Sequence, residues 1–454
     1  MSQDESRWEP TSAHVGALTI AVVVPLVAML LRRPDLIVLA VPFATIAAWS
    51  IATRPRGIPE VSSQLSPGVV GEGQVVGWHA FVRVPPGATD AGVVIGESPF
   101  FAPEARTHAL VADLAPHGDE TAELSCRLIA QRWGHYDVGT AIIALTSSFG
   151  AFRWSPGQLP DHRVVALPAK EAFTTRTGMP HPTGIVGLNR GVRRGDGTDV
   201  ATVRPYAPGD RLRRINWKVS TRTGTLHVTA THADLDTQVL LVVDAFHDLG
   251  ASGGIAGASS SLDTSVRSAT ALAEHYLRAG ERVGLLVLGA HGIAPLAAVA
   301  GRAQLRRLRD SLALIRPGTG RGSEDQATAS LLARIPPGAV VLLLTPAVSA
   351  AALGRCVALA RSGMTVLVID TLPPAVTAER IGVADLQAIA PLESTRDVAV
   401  TRSAWRLRLL ERAAQLHSLR DLGIPVVAWT GPGSLDEVLR QLQRRARAPR
   451  LVRR

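Results

Sequence analysis

The sequence predicts a multi-domain chain that consists of an N-terminal transmembrane helical hairpin, a β-sandwich and then an α/β doubly wound sheet. Three patterns predict this architecture. Two uncharged apolar runs lie near the start, short alternating runs follow between turn signals, and continuous apolar strands finally alternate with helices. The predicted divisions are a tail over 1–13, two transmembrane helices over 14–53, a β-sandwich-like domain over 54–169, a charged connecting segment over 170–235, an α/β domain over 236–447 and a basic tail over 448–454.

The composition limits the classes of partner and of chemistry. The 454-residue chain carries a formal net charge of +10, which suits a membrane surface, nucleic acid or another anionic partner. Only Lys170 and Lys218 are lysines among the 48 Lys and Arg side chains, as in proteins from GC-rich genomes, so the Arg excess says little about function. Cys126 and Cys356 lie far apart in the chain, and we expect both to be buried apolar fillers.

Two apolar runs, over residues 15–31 and 36–52, predict the membrane hairpin. Neither run contains a charge, and each approaches the ~20 residues that cross a bilayer. A signal peptide is the competing interpretation, but the leader is acidic and a second apolar run follows at once. Trp49 lies near the end of the second run, where interfacial aromatic residues occur.

Two crossings place both flanks of the hairpin on the same side of the membrane. Arginines lie between the two runs as well as outside them, so the positive-inside rule does not choose that side. The low cysteine content and the basic body favour the cytoplasm. We therefore expect a two-pass protein of the inner or plasma membrane with cytoplasmic soluble domains, and domains that face the envelope are the alternative.

Residues 57–168 alternate short apolar runs with Pro- and Gly-rich turns. This pattern is typical of a small antiparallel β-sandwich that packs or spaces. The histidines of this region are scattered without the spacing of metal ligands. We therefore expect no metal chemistry from it.

The stretch RPYAPGDRLRRINWKVSTRTG, over residues 204–224, combines a Pro-Gly turn signal with a cluster of charges. Asp210 can cap the chain that follows it by accepting backbone N–H bonds. Lys is rare in this chain, and Arg is larger, forked and not equivalent at a confined site. We predict that Lys218 is a compact cation held against Asp210 or a neighbouring carboxylate under Trp217.

This stretch resembles the hallmark of the bacterial "domain of unknown function 58" family. The pattern Arg-x-Tyr-x-Pro-Gly-Asp-x-x-Arg-x-Ile-x-Trp-Lys, followed by Arg-x-Gly and a strand, is matched by Arg204, Tyr206, Pro208, Gly209, Asp210, Arg214, Ile215, Trp217, Lys218, Arg222 and Gly224. A second stretch, RWGHYDVGTAIIALTSSFGAF from Arg132, is similar to the family's Arg-Gly-x-Tyr…Asp-Pro-Phe-Gly-Leu-Phe stretch. It departs at Ser147-Ser148, where Asp-Pro is usual. An N-terminal membrane hairpin is also common in such proteins.

Three interpretations of the family signature stay open. Its charges form an ion-pair network that locks the connecting segment onto the next domain, or they form a docking surface for a partner protein, or Lys218 is a catalytic nucleophile. A nucleophilic Lys needs a dry pocket that depresses its pKa, and nothing local except the repulsion of neighbouring arginines predicts one. The signature is therefore predicted to be structural or to dock a partner.

From residue 238 onward, continuous apolar strands alternate with helices, which indicates a mostly parallel sheet covered on both faces. The resemblance implies a von Willebrand factor A-like fold here, in which Asp-x-Ser-x-Ser, a Thr and another Asp hold Mg²⁺. In this sequence Phe246 and Asp248 replace the two serines, and Thr345 is followed by Pro-Ala where an Asp is expected. We predict no cofactor and no metal, with Asp244, Asp248 and Thr345 as weak candidates for a Mg²⁺ site.

Catalytic motifs are missing from the sequence. It contains no GxxxxGK[ST] loop, no HExxH and no GxSxG, and its basic tail lacks the interleaved aromatic residues of nucleic-acid-binding proteins. We predict a non-enzymatic, membrane-anchored scaffold with neither nucleic acid nor a small-molecule substrate as partner. The resemblance implies a MoxR-type AAA+ ATPase as that partner, in protein complex assembly or maturation. The alternatives are a metal-dependent hydrolase at the strand edge and an envelope-facing binding protein.

Overall fold

In a computed structural model, the chain divides into two compact units. Unit 1 comprises Met1–Ala169 with Gly254–Ala256, and unit 2 comprises Lys170–Gly253 with Gly257–Arg454. The described residues are 8–105, 109–113, 121–155, 159–169, 194–207, 215–232, 238–290, 292–316, 335, 339–362, 364–377, 381–389, 392, 394–431 and 434.

Two apolar helices lie near the start of unit 1. Helix α1 spans Ser12–Leu30, and helix α2 spans Ile37–Ala52 after a 3₁₀ turn at Pro34–Leu36. Both are long and apolar enough to cross a membrane, and most of their side chains are exposed rather than packed inside the protein. The structure thus contains the two apolar helices that the sequence predicts.

The hairpin is joined to the β-rich part of unit 1 at its base. Thr11 caps α1 by accepting a hydrogen bond from His14 N at 3.3 Å, which satisfies one of the free N–H groups of the first turn. After α2, Gly57 O accepts a hydrogen bond from Trp8 Nε1 at 3.1 Å. The residues before α1 and after α2 therefore meet outside the apolar helices.

The rest of unit 1 is built from β-strands. They are β1 Glu9–Pro10, β2 Glu60–Ser66, β3 Val69–Gly71, β4 Val75–Arg83, β5 Ala88–Ile95, β6 Phe101–Pro103, β7 Ala109–Asp113, β8 Thr121–Ala130, β9 Gly134–Asp137, β10 Ala141–Ser147, β11 Phe152–Trp154 and β12 Arg163–Leu167.

These strands form three sheets around one core. The sheets have the orders β1-β11-β10-β5-β7, β2-β4-β8-β6 and β3-β12-β9. Alternate side chains of β4 are buried, as the period of two in its sequence predicts. Val76, Val93 and Val164, one from each sheet, belong to the same buried cluster. The predicted β-rich character is confirmed, and the assignment as a β-sandwich stays a prediction.

Unit 2 alternates strands and helices. Its elements are β13 Arg194–Pro205, α3 Trp217–Thr223, β14 His227–His232, β15 Gln238–Asp244, α4 Ser261–Arg278, β16 Arg282–Leu288, β17 Leu296–Val299, α5 Arg302–Ala313, β18 Val340–Thr345, α6 Ala350–Arg361, β19 Thr365–Asp370, α7 Pro374–Thr377, α8 Val383–Ile389, α9 Thr395–Asp421 and β20 Val426–Ala428.

The main sheet of unit 2 has the strand order β17-β16-β15-β18-β19-β20. All neighbours are parallel except the edge strand β17, which is antiparallel to β16. Counted along the chain within the sheet, the order is 3-2-1-4-5-6. The strand order reverses between the parallel strands β15 and β18, and open α/β sheets place their ligands beyond the carboxyl ends of the strands at this point.

In the described part of unit 2, strands alternate with helices after residue 238, as the sequence predicts. Strand β17 and helix α3 were not expected. Helix α9 begins at Thr395, because Ser394 caps it by accepting a hydrogen bond from Asp397 N at 3.2 Å, and its residue Trp405 packs in a buried cluster. The basic tail predicted over 448–454 lies outside the described residues.

Candidate functional site

The family signature occupies a hairpin and a short helix of unit 2. Strands β13 and β14 pair antiparallel, with Arg204 opposite Val228. Tyr206 N donates to Leu226 O at 2.8 Å and extends the ladder by one residue. Of the predicted signature residues, Arg204, Tyr206, Trp217, Lys218, Arg222 and Gly224 are described, whereas Pro208, Gly209, Asp210 and Arg214 lie outside the described residues.

Helix α3 is short because its two ends are sharply defined. Asn216 caps its start by accepting a hydrogen bond from Val219 N at 3.2 Å. Gly224, with φ of 70°, ends it in the left-handed conformation that glycine adopts without steric cost. Ser220 is buried, and its Oγ accepts from His227 N at 2.9 Å. These contacts hold one face of α3 against β14.

The opposite face of α3 is exposed, basic and aromatic. Trp217 keeps 63% of its surface accessible, and Lys218 and Arg222 are also exposed. Lys218 and Arg222 are four residues apart, which places them together on the helix surface. We call Trp217, Lys218 and Arg222 the α3 face.

The predicted confinement of Lys218 under Trp217 is wrong. Asn216 and Ser220 point the inner side of α3 at the hairpin, and the helical period then turns residues 217 and 218 outward. Among the described residues, no carboxylate forms an ion pair with Lys218. The proposed partner Asp210 lies outside them, so that pairing stays a prediction.

A second polar cluster lies at the carboxyl edge of the main sheet. Asp244, Thr345 and Asp370 end the neighbouring strands β15, β18 and β19. Thr345 Oγ1 donates to Asp244 Oδ2 at 2.7 Å and accepts from Ala347 N at 3.0 Å. The cluster therefore lies at the point where the strand order of the sheet reverses.

Two arginines from helices pair with the acids of this edge. Arg355 Nη2, on α6, lies 3.5 Å from Asp244 Oδ2, and only 1% and 3% of the two residues are exposed. The Arg355 guanidinium carbon also lies 5.1 Å from the centre of the Phe246 ring, within cation–π range. Arg412, on α9, pairs with Asp370. Each buried charge thus has an opposite charge beside it.

The candidate metal ligands do not fit a divalent cation in this arrangement. The Arg355 guanidinium already supplies positive charge to Asp244, and a second cation there would be repelled. Asp248 Oδ1 accepts from Leu262 N at 3.1 Å, and Phe246 offers an apolar ring where the resemblance implies a hydroxyl. In the part of the chain that the structure describes, no group of three or more His, Cys, Asp or Glu side chains could hold a metal ion.

Both sites fall in a range that matches a known family. Residues 202–416 match the family model described as "Protein of unknown function DUF58". We call this range, which is similar to the DUF58 family, the DUF58 segment. The match begins in β13 and ends in α9, so the DUF58 segment contains the α3 face, Asp244, Thr345 and both arginines. The resemblance carried by the signature is confirmed.

Three mycobacterial proteins are similar to this chain. One is an uncharacterized protein of Mycobacterium bovis, and the others are uncharacterized proteins from two strains of Mycobacterium tuberculosis. Each is 31% identical over 118 residues, which is 26% of this chain and 36% of the relative. The aligned part thus spans about a third of the length of each relative.

The two cysteines are buried, as predicted. Cys126 is 7% exposed and Cys356, next to Arg355 in the DUF58 segment, is fully buried. Burial raises the pKa of the Cys356 thiol to about 12, because a thiolate would lose its hydration. Burial likewise raises the pKa of Cys126. Neither thiol is poised for nucleophilic chemistry at neutral pH.

Arg355 and Arg412 are the functional candidates that sequence reasoning missed in the DUF58 segment. Arg355 lies 111 positions from its partner Asp244, so no local pattern connects them. One feature of the sequence points to such a pairing, because Arg355 interrupts the apolar side of the stretch AAALGRCVALAR that forms α6. A charge on the buried face of a helix requires a buried partner.

Proposed function

We propose that this chain is a non-enzymatic, membrane-anchored scaffold whose α3 face docks a partner protein. The observation that carries the proposal is the 63% exposure of Trp217 beside the exposed cations Lys218 and Arg222. Trp and Arg dominate the energetic centres of protein interfaces, and an exposed Trp in water gains nothing from its large apolar surface. The signature therefore serves recognition.

The chemistry of the strand edge supports a scaffold rather than a hydrolase. Asp244 accepts from Thr345 and pairs with Arg355 in a site closed to water. A general base or nucleophile must reach its substrate. The Asp244 carboxylate is buried and already bonded to Thr345 and Arg355. The edge therefore acts as an internal clamp of the sheet in this proposal.

The strand order supports a von Willebrand factor A-like assignment of the main sheet. That assignment rests on the 3-2-1-4-5-6 order with one antiparallel edge strand, together with the family resemblance. The fold alone fixes no function, because the same sheet hosts many activities. The proposed role therefore depends on the α3 face and not on the sheet.

We infer that the partner is a MoxR-type AAA+ ATPase, as the family resemblance implies, and that the two act in protein complex assembly or maturation. The α3 face is cationic, so the complementary surface of that ATPase should be acidic. ATP is cytoplasmic, so the proposal places the soluble units on the cytoplasmic side of a two-pass hairpin. A reporter fused to the C-terminus tests that side, and a signal from the envelope contradicts it.

The docking proposal is tested by measuring the affinity of the full-length protein, in detergent or nanodiscs, for a MoxR-type ATPase from the same genome. We expect Trp217→Ala to weaken binding by about 30-fold, the loss typical of a central Trp. The double charge reversal Lys218→Glu with Arg222→Glu should slow association and reduce its salt dependence.

Matched controls separate the α3 face from nonspecific effects. Leu410→Ala removes another exposed apolar side chain, on α9, and Arg306→Glu with Arg307→Glu reverses two exposed charges on α5. These variants should bind like the wild type. Equal affinities for Trp217→Ala and Leu410→Ala contradict docking through the α3 face, and no binding by the wild type contradicts the proposed partner.

A further inference from the structure

The turn between β10 and β11 in unit 1 contains an exposed aromatic residue whose backbone conformation is unfavourable. Phe149 is the middle residue of the 3₁₀ turn Ser148–Gly150, and 66% of its surface is exposed. Its φ of 59° lies in the left-handed region, where the Cβ atom of an L-residue is crowded. Backbone strain and an exposed apolar ring are both unfavourable in water. Contact of this turn with solvent alone therefore does not account for its conformation.

Hydrogen bonds place the turn at the base of the apolar hairpin. Thr11, the residue that caps α1, donates from Oγ1 to Gly150 O at 2.7 Å and from its backbone N to Ala151 O at 2.9 Å. Helix α2 also contacts the turn. Phe149 therefore lies where both helices leave the soluble part of unit 1.

Groups suited to a membrane surface lie on α2, which contacts the turn, and in the chain just after the turn. Trp49, in the last turn of α2, is 61% exposed, as expected for an interfacial aromatic residue. Arg153 is exposed on β11, two positions beyond Ala151, and Arg54 stacks on the Phe152 ring beneath the turn. Anionic headgroups attract arginine side chains at the membrane surface. Aromatic rings are enriched at the same depth.

We propose that the Ser148–Gly150 turn is a membrane-interface anchor, in which Phe149 inserts into the boundary between lipid headgroups and acyl chains. The anchor holds the β1 edge of the five-stranded sheet against the bilayer. Transfer of the ring from water to this apolar environment is favourable and offsets the strain of the Phe149 backbone. This inference rests on the proposed insertion of the hairpin in a membrane and adds a third contact with lipid to it.

The depth of single spin labels in vesicles of phosphatidylcholine and phosphatidylglycerol tests the anchor in the full-length protein. Labels are attached to Phe149→Cys, Val111→Cys and Leu26→Cys, and collisions with oxygen are compared with collisions with an aqueous nickel complex. Cys126 and Cys356 are buried and should not take up the label. Val111 is the matched control, because it is 76% exposed on β7, the opposite edge of the same sheet.

We expect the label at position 149 to collide severalfold more with oxygen than with nickel relative to the label at 111. The label at 26, in the middle of α1, reports on insertion of the hairpin itself. Membrane-like behaviour at 26 with water-like behaviour at 149 overturns the anchor alone. Water-like behaviour at 26 overturns the membrane hairpin, and with it the anchor. A label at 149 that is shielded from both reagents indicates a protein contact and also overturns the anchor.

A second variant separates anchoring from folding. Phe149→Gly removes the ring and relieves the left-handed strain, so the protein should fold at least as well as the wild type. A label at Ser148→Cys should become severalfold more accessible to nickel when Phe149→Gly is added. Unchanged nickel accessibility at 148 in that double variant overturns the proposal, because the ring would then hold nothing in the lipid.

Discussion

Replacing Arg355 with methionine tests whether the carboxyl edge of the main sheet is an internal clamp. Methionine keeps most of the apolar stem and removes only the guanidinium. The variant leaves Asp244, which is 3% exposed, without its opposite charge. Loss of one partner from a buried ion pair costs about 3–5 kcal/mol, and the rather long 3.5 Å separation favours the lower end, about 3 kcal/mol.

The Phe246 contact adds to this cost. A desolvated cation–π contact at 5.1 Å contributes about 1 kcal/mol, so we expect Arg355→Met to lose about 4 kcal/mol of unfolding free energy. For a unit of this size, that loss lowers the melting temperature by roughly 8–16 °C. Differential scanning fluorimetry of the full-length protein in detergent measures the change.

Two further variants make the test specific. Arg361→Met alters an exposed arginine on the same helix and should shift the melting temperature by no more than about 2 °C. Asp244→Asn added to Arg355→Met removes the unpaired charge and should recover most of the loss. If Arg355→Met melts like Arg361→Met, the clamp is refuted, and Asp244 then needs another explanation.

Three more predictions concern the single side chains Thr345, Ser220 and Cys356. Thr345→Val removes the hydroxyl that bonds Asp244, and we expect a loss of about 1–2 kcal/mol in urea unfolding, against no loss for Thr345→Ser. Ser220→Ala breaks the bond from His227 N, so amide exchange in α3 should accelerate about tenfold while the α/β core stays protected. Because the pKa of Cys356 is raised from 9.0 to about 12, its contribution to stability is present below pH 9 and is lost between pH 9 and pH 12. Alkylation of Cys356 at pH 9, followed by mass spectrometry, should therefore be at least about a hundredfold slower in the folded than in the unfolded chain, and equal rates would contradict this burial.

The elements that local sequence determines were predicted well. The uncharged runs at the start form two apolar helices, and QVLLVVD forms strand β15, which is buried from its second residue onward. Such elements follow from the period and length of apolar residues, which depend only on neighbours in the chain. The family resemblance was also predictable from the sequence, because the signature residues match the family pattern at fixed spacing.

The directions of the side chains on helix α3 could not be predicted from the local sequence. The cluster of charges around Lys218 suggested a confined cation, but the cap at Asn216 and the buried hydroxyl of Ser220 turn Trp217 and Lys218 outward. The direction of a side chain on a seven-residue helix depends on which face the neighbouring hairpin covers. That information lies in the pairing of β13 with β14 and not in the signature itself.

The sequence by itself determined the two apolar helices, the alternation of strands and helices after residue 238 and the family resemblance, because each depends on residues close together in the chain. Only the tertiary structure decided what faces Asp244, since Arg355 reaches it from 111 positions away. It also decided that Thr11, at the base of the hairpin, bonds Gly150 in the turn that carries Phe149. Contacts between distant residues depend on strand order and helix packing, and no local period encodes them.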